Sequence, residues 1–242
     1  MSFGYLLLEV RRGLRSIRFL IFTVAMPVAL FLLYTGIFAS DQPGYTAVLM
    51  VNMTGYGALT AAMFAGGRIA LERAAGWQRQ LRLTPLSGAG YLTAKGVTAM
   101  VLALPGVLLV PLVAVLFEGV SLDAGQWSRV VLGSWLAVIP FAVLGLLLGQ
   151  IGTAESMQPL MSVVMMVMAL LGGIFIPIDG MPAGLLTVAR LLPSYWLQQV
   201  GRGAVTSELS VSLGNAALVL AAWTVVLGLA VARRYRRDSA RV

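Results

Sequence analysis

Apolar runs of about 20 residues alternate with short polar stretches along this 242-residue chain. A helix of that length crosses the hydrocarbon core of a bilayer. The pattern predicts an all-α integral membrane protein with six transmembrane helices, at about 19–39, 46–70, 94–117, 130–151, 157–176 and 216–232. Pro27, Pro105, Pro111 and Pro140 fall inside these runs. Proline is tolerated within membrane helices, so they predict kinks and no breaks. The connection 152–156 is so short that spans four and five must be antiparallel neighbours.

Three segments depart from the spanning pattern. Residues 1–18 read as an amphipathic interfacial helix, with Phe3, Leu6, Leu7, Val10, Leu14 and Ile17 on one face and Glu9, Arg11, Arg12, Arg15, Ser16 and Arg18 on the other. No small-residue cleavage site stands before the first span, so this is not expected to be a signal peptide. The remainder, 19–242, reads as one six-span domain. Within it, the loop 71–93 carries a second amphipathic stretch from Glu72 to Leu83. Only Gly76 interrupts it, and Pro85 ends it by restricting Thr84 to extended geometry. Trp77 and Leu81 share a face, flanked by Arg73, Arg79 and Arg82. Such a helix either docks on another protein or holds the loop at the lipid headgroups, and residue chemistry alone leaves both open. Residues 178–213 are too polar to span and too apolar to float, which predicts re-entrant or interfacial helices between spans five and six.

Composition agrees with the membrane reading: 59% of residues are hydrophobic and 11% charged, with a mean hydropathy of +0.91. The net charge of +8 is not a nucleic-acid signal, because the basic residues cluster at span ends and form no basic domain. Fourteen of the 17 Lys and Arg residues lie in 1–18, 68–95 and 233–242. The positive-inside bias therefore puts both termini and the 71–93 loop in the cytoplasm of a multi-pass plasma-membrane protein.

Much chemistry is missing. There is no cysteine and no histidine, which removes thiol nucleophiles, imidazole bases and the commonest zinc ligands. No phosphate-binding Gly-x-x-x-x-Gly-Lys-Ser/Thr loop exists. The nine acidic residues all fall in loops or at span ends, so an ion-coupled carrier with charged groups at membrane depth is not expected. No catalytic residue, metal site or cofactor is expected in this chain. Span two carries a polar stripe, Asn52, Tyr56 and Thr60, that should avoid lipid. Span five is rich in methionine, including Met161, Met165 and Met168, which would suit either packing or an adaptable apolar surface.

The stretch Glu72-Arg73-x-x-Gly76-Trp77-x-Arg79-Gln80-Leu81-Arg82-Leu83-Thr84-Pro85-Leu86, followed by Tyr91-Leu92 and Lys95, resembles the first cytoplasmic loop of ATP-binding-cassette (ABC) type-2 export permeases, actinobacterial members in particular. A second similarity lies at Gly172-Gly173-Ile174-Phe175-x-Pro177, Met181-Pro182 and Leu192-Pro193-Ser194-Tyr195. The resemblance implies a half-transporter, in which two permease copies or homologues pair with two separate ATPase subunits that bind ATP and Mg. It implies that Glu72, Arg73, Gly76, Trp77, Gln80, Leu81, Arg82, Thr84 and Pro85 form a coupling helix that contacts the ATPase. It places the substrate path along spans two and five, at Asn52, Tyr56, Thr60, Met161, Met165, Met168 and Phe175. The expected function is export of an amphipathic small molecule, such as a drug or antibiotic, or of a lipid. A membrane scaffold or lipid-surface protein without transport activity is the alternative from a different class.

Overall fold

A computed structural model describes residues 3–38, 44–77, 80, 83, 87–176, 178–206 and 212–239. Among the described residues all regular structure is helical. Helix α1 spans Phe3–Leu14. Ser16, whose Oγ accepts from the Phe19 amide at 3.4 Å, then starts α2, Ile17–Phe38. The long helices α3, Tyr45–Ala74, and α4, Gly88–Glu118, follow. Next come α5, Ala124–Ile151, and α6, Met157–Leu171. Two short helices, α7, Ala183–Ala189, and α8, Pro193–Val205, lead into α9, Leu213–Ser239.

Five of these helices, α2, α3, α4, α5 and α9, are long and apolar enough to cross a membrane. The fifth predicted span is shorter than expected: α6 stops at Leu171, and its 15 residues rise about 22 Å, less than the roughly 30 Å of a hydrocarbon core. The cause is local. Gly173 sits at φ +78°, a conformation that continues no helix, and residues 172–176 turn away toward α8. The predicted boundary at 176 therefore overran the helix by five residues. Within 178–213, short helices occupy Ala183–Ala189 and Pro193–Val205.

Helix α3 is the centre of the bundle. About its most apolar window, 78% of residues are buried inside the protein, against 22% for α2 and α9. It packs on α2, α4, α5, α6 and α8. Two close approaches make this central position attainable. In α2 a π-helical turn, Ile21–Ala25, precedes Pro27, whose ring nitrogen has no hydrogen to offer the Thr23 carbonyl four residues earlier. That carbonyl oxygen lies against the backbones of α3 and α4: a Cβ on Gly57 would come within 3.0 Å of it, and one on Gly106 within 3.2 Å. Three helices thus meet where one lacks an N–H and two lack side chains. Further along α3, a Cβ on Gly145 would lie 2.6 Å from the Met63 carbonyl oxygen, and one on Gly149 2.6 Å from that of Gly66. Small residues at four-residue spacing let α3 and α5 touch backbone to backbone, the packing that apolar solvent cannot supply.

Gly145→Leu should therefore force α3 and α5 apart and lower the stability of the detergent-solubilised protein by about 3 kcal/mol or more. Gly36→Leu, where nothing lies within 4 Å, should leave the thermal unfolding midpoint unchanged. Equal midpoints for the two variants would refute the seam.

Candidate functional site

Two sites stand at opposite ends of α3. At its C-terminal end the helix stops at Ala74 because Gly76 takes φ +71°, with the Ala75 amide donating to the Leu71 carbonyl at 3.0 Å and the Gly76 amide to that of Arg73 at 3.1 Å. Glu72 and Arg73 are consequently the last turn of the central helix and not the start of a separate loop helix. Both are engaged within the chain. Glu72 is 5% exposed; its Oε1 lies 2.5 Å from Lys95 Nζ, and its Oε2 accepts from the Tyr91 hydroxyl at 3.1 Å. Arg73 Nη1 donates to the Gln150 carbonyl, which also accepts from Arg234 Nε at 3.2 Å. The two guanidinium groups close the C-terminus of α5, where helix carbonyls lack partners.

Lys95, the one lysine in the chain, is 2% exposed and also contacts Glu9 Oε2 at 2.7 Å. The expected grouping of Glu9 with the surface arginines of α1 is thus corrected. Tyr5, Glu9 and Gly13, spaced by four, form a third face of α1 that packs on α4. A Cβ on Gly13 would meet Leu102 Cδ1 at 2.5 Å. The arginine face and Leu7, Leu8 and Leu14 remain exposed. Acidic groups of α1 and α3 are therefore buried, and one ammonium holds two carboxylates from different helices.

An aromatic shell surrounds this triad. Lys95 Nζ lies 5.7 Å from the Tyr91 ring centre. Tyr91 packs 6.5 Å from Tyr5 and 6.3 Å from Tyr235 of α9. Burial, then the charges of Glu9 and Glu72, push the Tyr5 pKa up, so its hydroxyl stays a neutral donor. The loop that follows α3 starts beside this shell. Trp77 is half-buried and its indole N–H has no hydrogen-bond partner among the described residues. Gln80 is exposed, and Leu83 is 89% exposed. Leu81, Arg82, Thr84 and Pro85 lie outside the described residues.

At the N-terminal end of α3, a cavity of about 320 Å³ is lined by Tyr34, Phe38, Tyr45, Leu49, Asn52, Ile174 and Phe175. That volume falls at the lower end of small-molecule sites, and the lining combines aromatic and aliphatic carbon with one amide and two tyrosines. Tyr56 packs on Phe175 with ring centres 5.1 Å apart. Asn52 Oδ1 accepts from Arg202 Nε at 3.2 Å. Of the expected path residues, Asn52 and Phe175 line this cavity, and Tyr56 backs it. Thr60 is buried and donates to the Tyr56 carbonyl at 2.6 Å, within its own helix. Met161 and Met165 belong to the core, and a Cβ on Gly67 would meet Met161 Cε at 2.5 Å. Met168 is half-buried against the same core. These methionines fill space beside α3 and do not line the cavity.

Sequence reading missed Glu9, Lys95 and Arg202 as structural nodes. The signal for Lys95 was its position one turn beyond Tyr91 at the head of a long apolar run. For Glu9 it was the four-residue repeat with Tyr5 and Gly13. Among the described residues no three His, Cys, Asp or Glu side chains group as metal ligands.

A helical bundle with five helices long and apolar enough to cross a membrane has the organisation of a multi-pass membrane protein. The sequence pattern of the family described as "ABC-2 family transporter protein" matches residues 39–233. The chain belongs to that family and is an ABC-type transport permease. It is similar to "Putative transport permease YvfS" of Bacillus subtilis (strain 168), with 28% identity over 191 residues, covering 77% of this chain and 78% of that protein.

Removing the shared cation should be costly. Lys95→Met strands two buried carboxylates and should destabilise the solubilised protein by about 3–5 kcal/mol. Adding Glu9→Gln and Glu72→Gln to it should recover most of that loss. A thermal melt showing no recovery in the triple variant would contradict the electrostatic account.

Proposed function

We propose that this chain is the membrane subunit of an ATP-driven exporter, powered by a separate cassette ATPase and working as a pair of permeases. The observation that carries the reading is the continuity of α3. One unbroken helix, Tyr45–Ala74, joins the cavity residue Asn52 to the loop that begins at Gly76. A push on the loop is therefore delivered to the cavity wall without passing through a hinge. The charge bias of the connections supports an orientation with that loop and both termini on the cytoplasmic side, where ATP is, and the cavity on the outer side.

In this reading Trp77, Gln80 and Leu83 present the contact to the ATPase, together with Leu81, Arg82, Thr84 and Pro85. Glu72 and Arg73 act from behind, by holding the end of α3 in place. The aromatic and aliphatic cavity suits an amphipathic drug-like molecule or a lipid, with Asn52 as the polar contact. Bilayer lipid covers the exposed apolar faces of α2 and α9.

The test is reconstitution with the ATPase encoded beside this permease, measuring ATP-dependent export from proteoliposomes across a panel of amphipathic compounds. Trp77→Ala, which truncates an aromatic anchor of the kind that costs about 2 kcal/mol or more at interfaces, should abolish export and ATPase co-purification at normal abundance. Gly76→Leu should do the same, because a branched side chain resists φ +71°. Arg236→Ala, in the C-terminal helix, should leave both intact. Full export by both loop variants would refute the coupling role.

A further inference from the structure

We infer that Arg202 is a positioning residue that holds residues 173–175 across the inner end of the α3 cavity, and that its release opens a buried polar chamber behind it. The inference rests on the reading of that cavity as part of the substrate path. Arg202 of α8 donates from Nε to Asn52 Oδ1 at 3.2 Å and from Nη2 to the Gly173 carbonyl at 3.1 Å. One guanidinium thus ties together α3, α8 and the turn after α6. Its flat fork suits two acceptors fixed by different segments. The turn it grips is set by Gly173 at φ +78° and carries Ile174 and Phe175, both part of the cavity wall. Phe175 then packs on Tyr56 at 5.1 Å.

Behind this wall lie groups with unused hydrogen-bonding capacity. Ser194 and Gln198 are fully buried, and neither Ser194 Oγ nor Gln198 Oε1 has a hydrogen-bond partner among the described residues. Gln198 Nε2 reaches the Asn52 carbonyl at 3.5 Å, a weak contact. Ser194 sits against Gly172, where a Cβ would meet its own Cβ at 2.6 Å. A buried acceptor left unmatched is costly; Ser194 flanks the very turn that Arg202 clamps, and Gln198 lies against α3 at Asn52, the other group Arg202 holds. Moving residues 172–175 aside joins them to the cavity and offers a hydroxyl and an amide carbonyl to a ligand carrying hydrogen-bond donors. The chamber therefore favours a donor-bearing amphipath over a plain hydrocarbon chain.

Because the chain has no cysteine, a single Ser194→Cys reports on the chamber directly. The rate of its modification by a small polar methanethiosulfonate reagent is measured on the purified full-length permease, which requires neither ATPase nor substrate. Adding Arg202→Met should raise that rate about tenfold or more, since two charge-assisted hydrogen bonds that hold the wall are lost. Arg202→Lys, which replaces the two-pronged grip with a single ammonium, should give an intermediate rate. A core reporter, Ala99→Cys, should stay unreactive beside Arg202→Met. An unchanged Ser194→Cys rate would overturn the inference, as would an equal rise at Ala99→Cys, which would mean general loosening. A failure of ATP-driven export alone would count against the transporter reading and leave this labelling result standing.

Discussion

One ammonium group ties together the end of this protein where α3 stops and α4 starts. Lys95 Nζ lies within 2.7 Å of carboxylates on α1 and α3 while sitting on α4 itself. In a site this dry, neither carboxylate has an alternative partner in water, so separating any of the three helices leaves a charge uncompensated. The triad therefore acts as a junction with a high penalty for partial opening. It makes the amphipathic helix, the end of the central span and the head of the next one behave as one body. Tyr91 and Tyr235 extend the junction to α9.

That junction matters because of what α3 is. Glycines on α4 and α5 let neighbouring backbones close on it, at Gly57 and Gly106 and along Met63, Gly66, Gly145 and Gly149. A helix gripped along its length by backbone contacts resists bending, and in the proposed coupling it would move as a rod. On the proposed coupling, the loop at one end and the aromatic cavity at the other would be linked by packing, with no need for ionisable groups at mid-membrane. The two ends of the helix differ: charge and aromatic packing at the loop end, a cavity lined by aromatic and aliphatic side chains with one amide and two tyrosines at the other.

Much of this was legible in the sequence. Apolar run length located the long helices, and the polar stripe of α3 marked the element that avoids lipid. The motif around Trp77 and the turn after Gly172 pointed to the family. What was not legible depended on tertiary partners. Helical periodicity sorted α1 into apolar and charged faces, but Glu9 is buried because a lysine 86 residues away meets it. Glu72 read as part of a loop helix because nothing local shows that α3 runs on to Ala74. The end of α6 was overrun since Gly173 interrupts a stretch that stays apolar through Ile176. The methionines read more readily as packing than as pathway, and Met161 packs where Gly67 of α3 leaves room for it.

The central claim is that movement of the loop after Gly76 reaches the cavity through α3. It is tested most directly by a pair of spin labels across the cavity mouth, at Phe38→Cys and Tyr45→Cys, in the permease bound to its ATPase. Transmission through the rod predicts that the distance distribution between the labels shifts when a non-hydrolysable ATP analogue is added. The same shift should vanish in a variant with three glycines inserted after Gly76, which uncouples the loop while leaving the triad intact. A nucleotide-dependent shift that survives the insertion, or no shift in the uninterrupted protein, would contradict the claim.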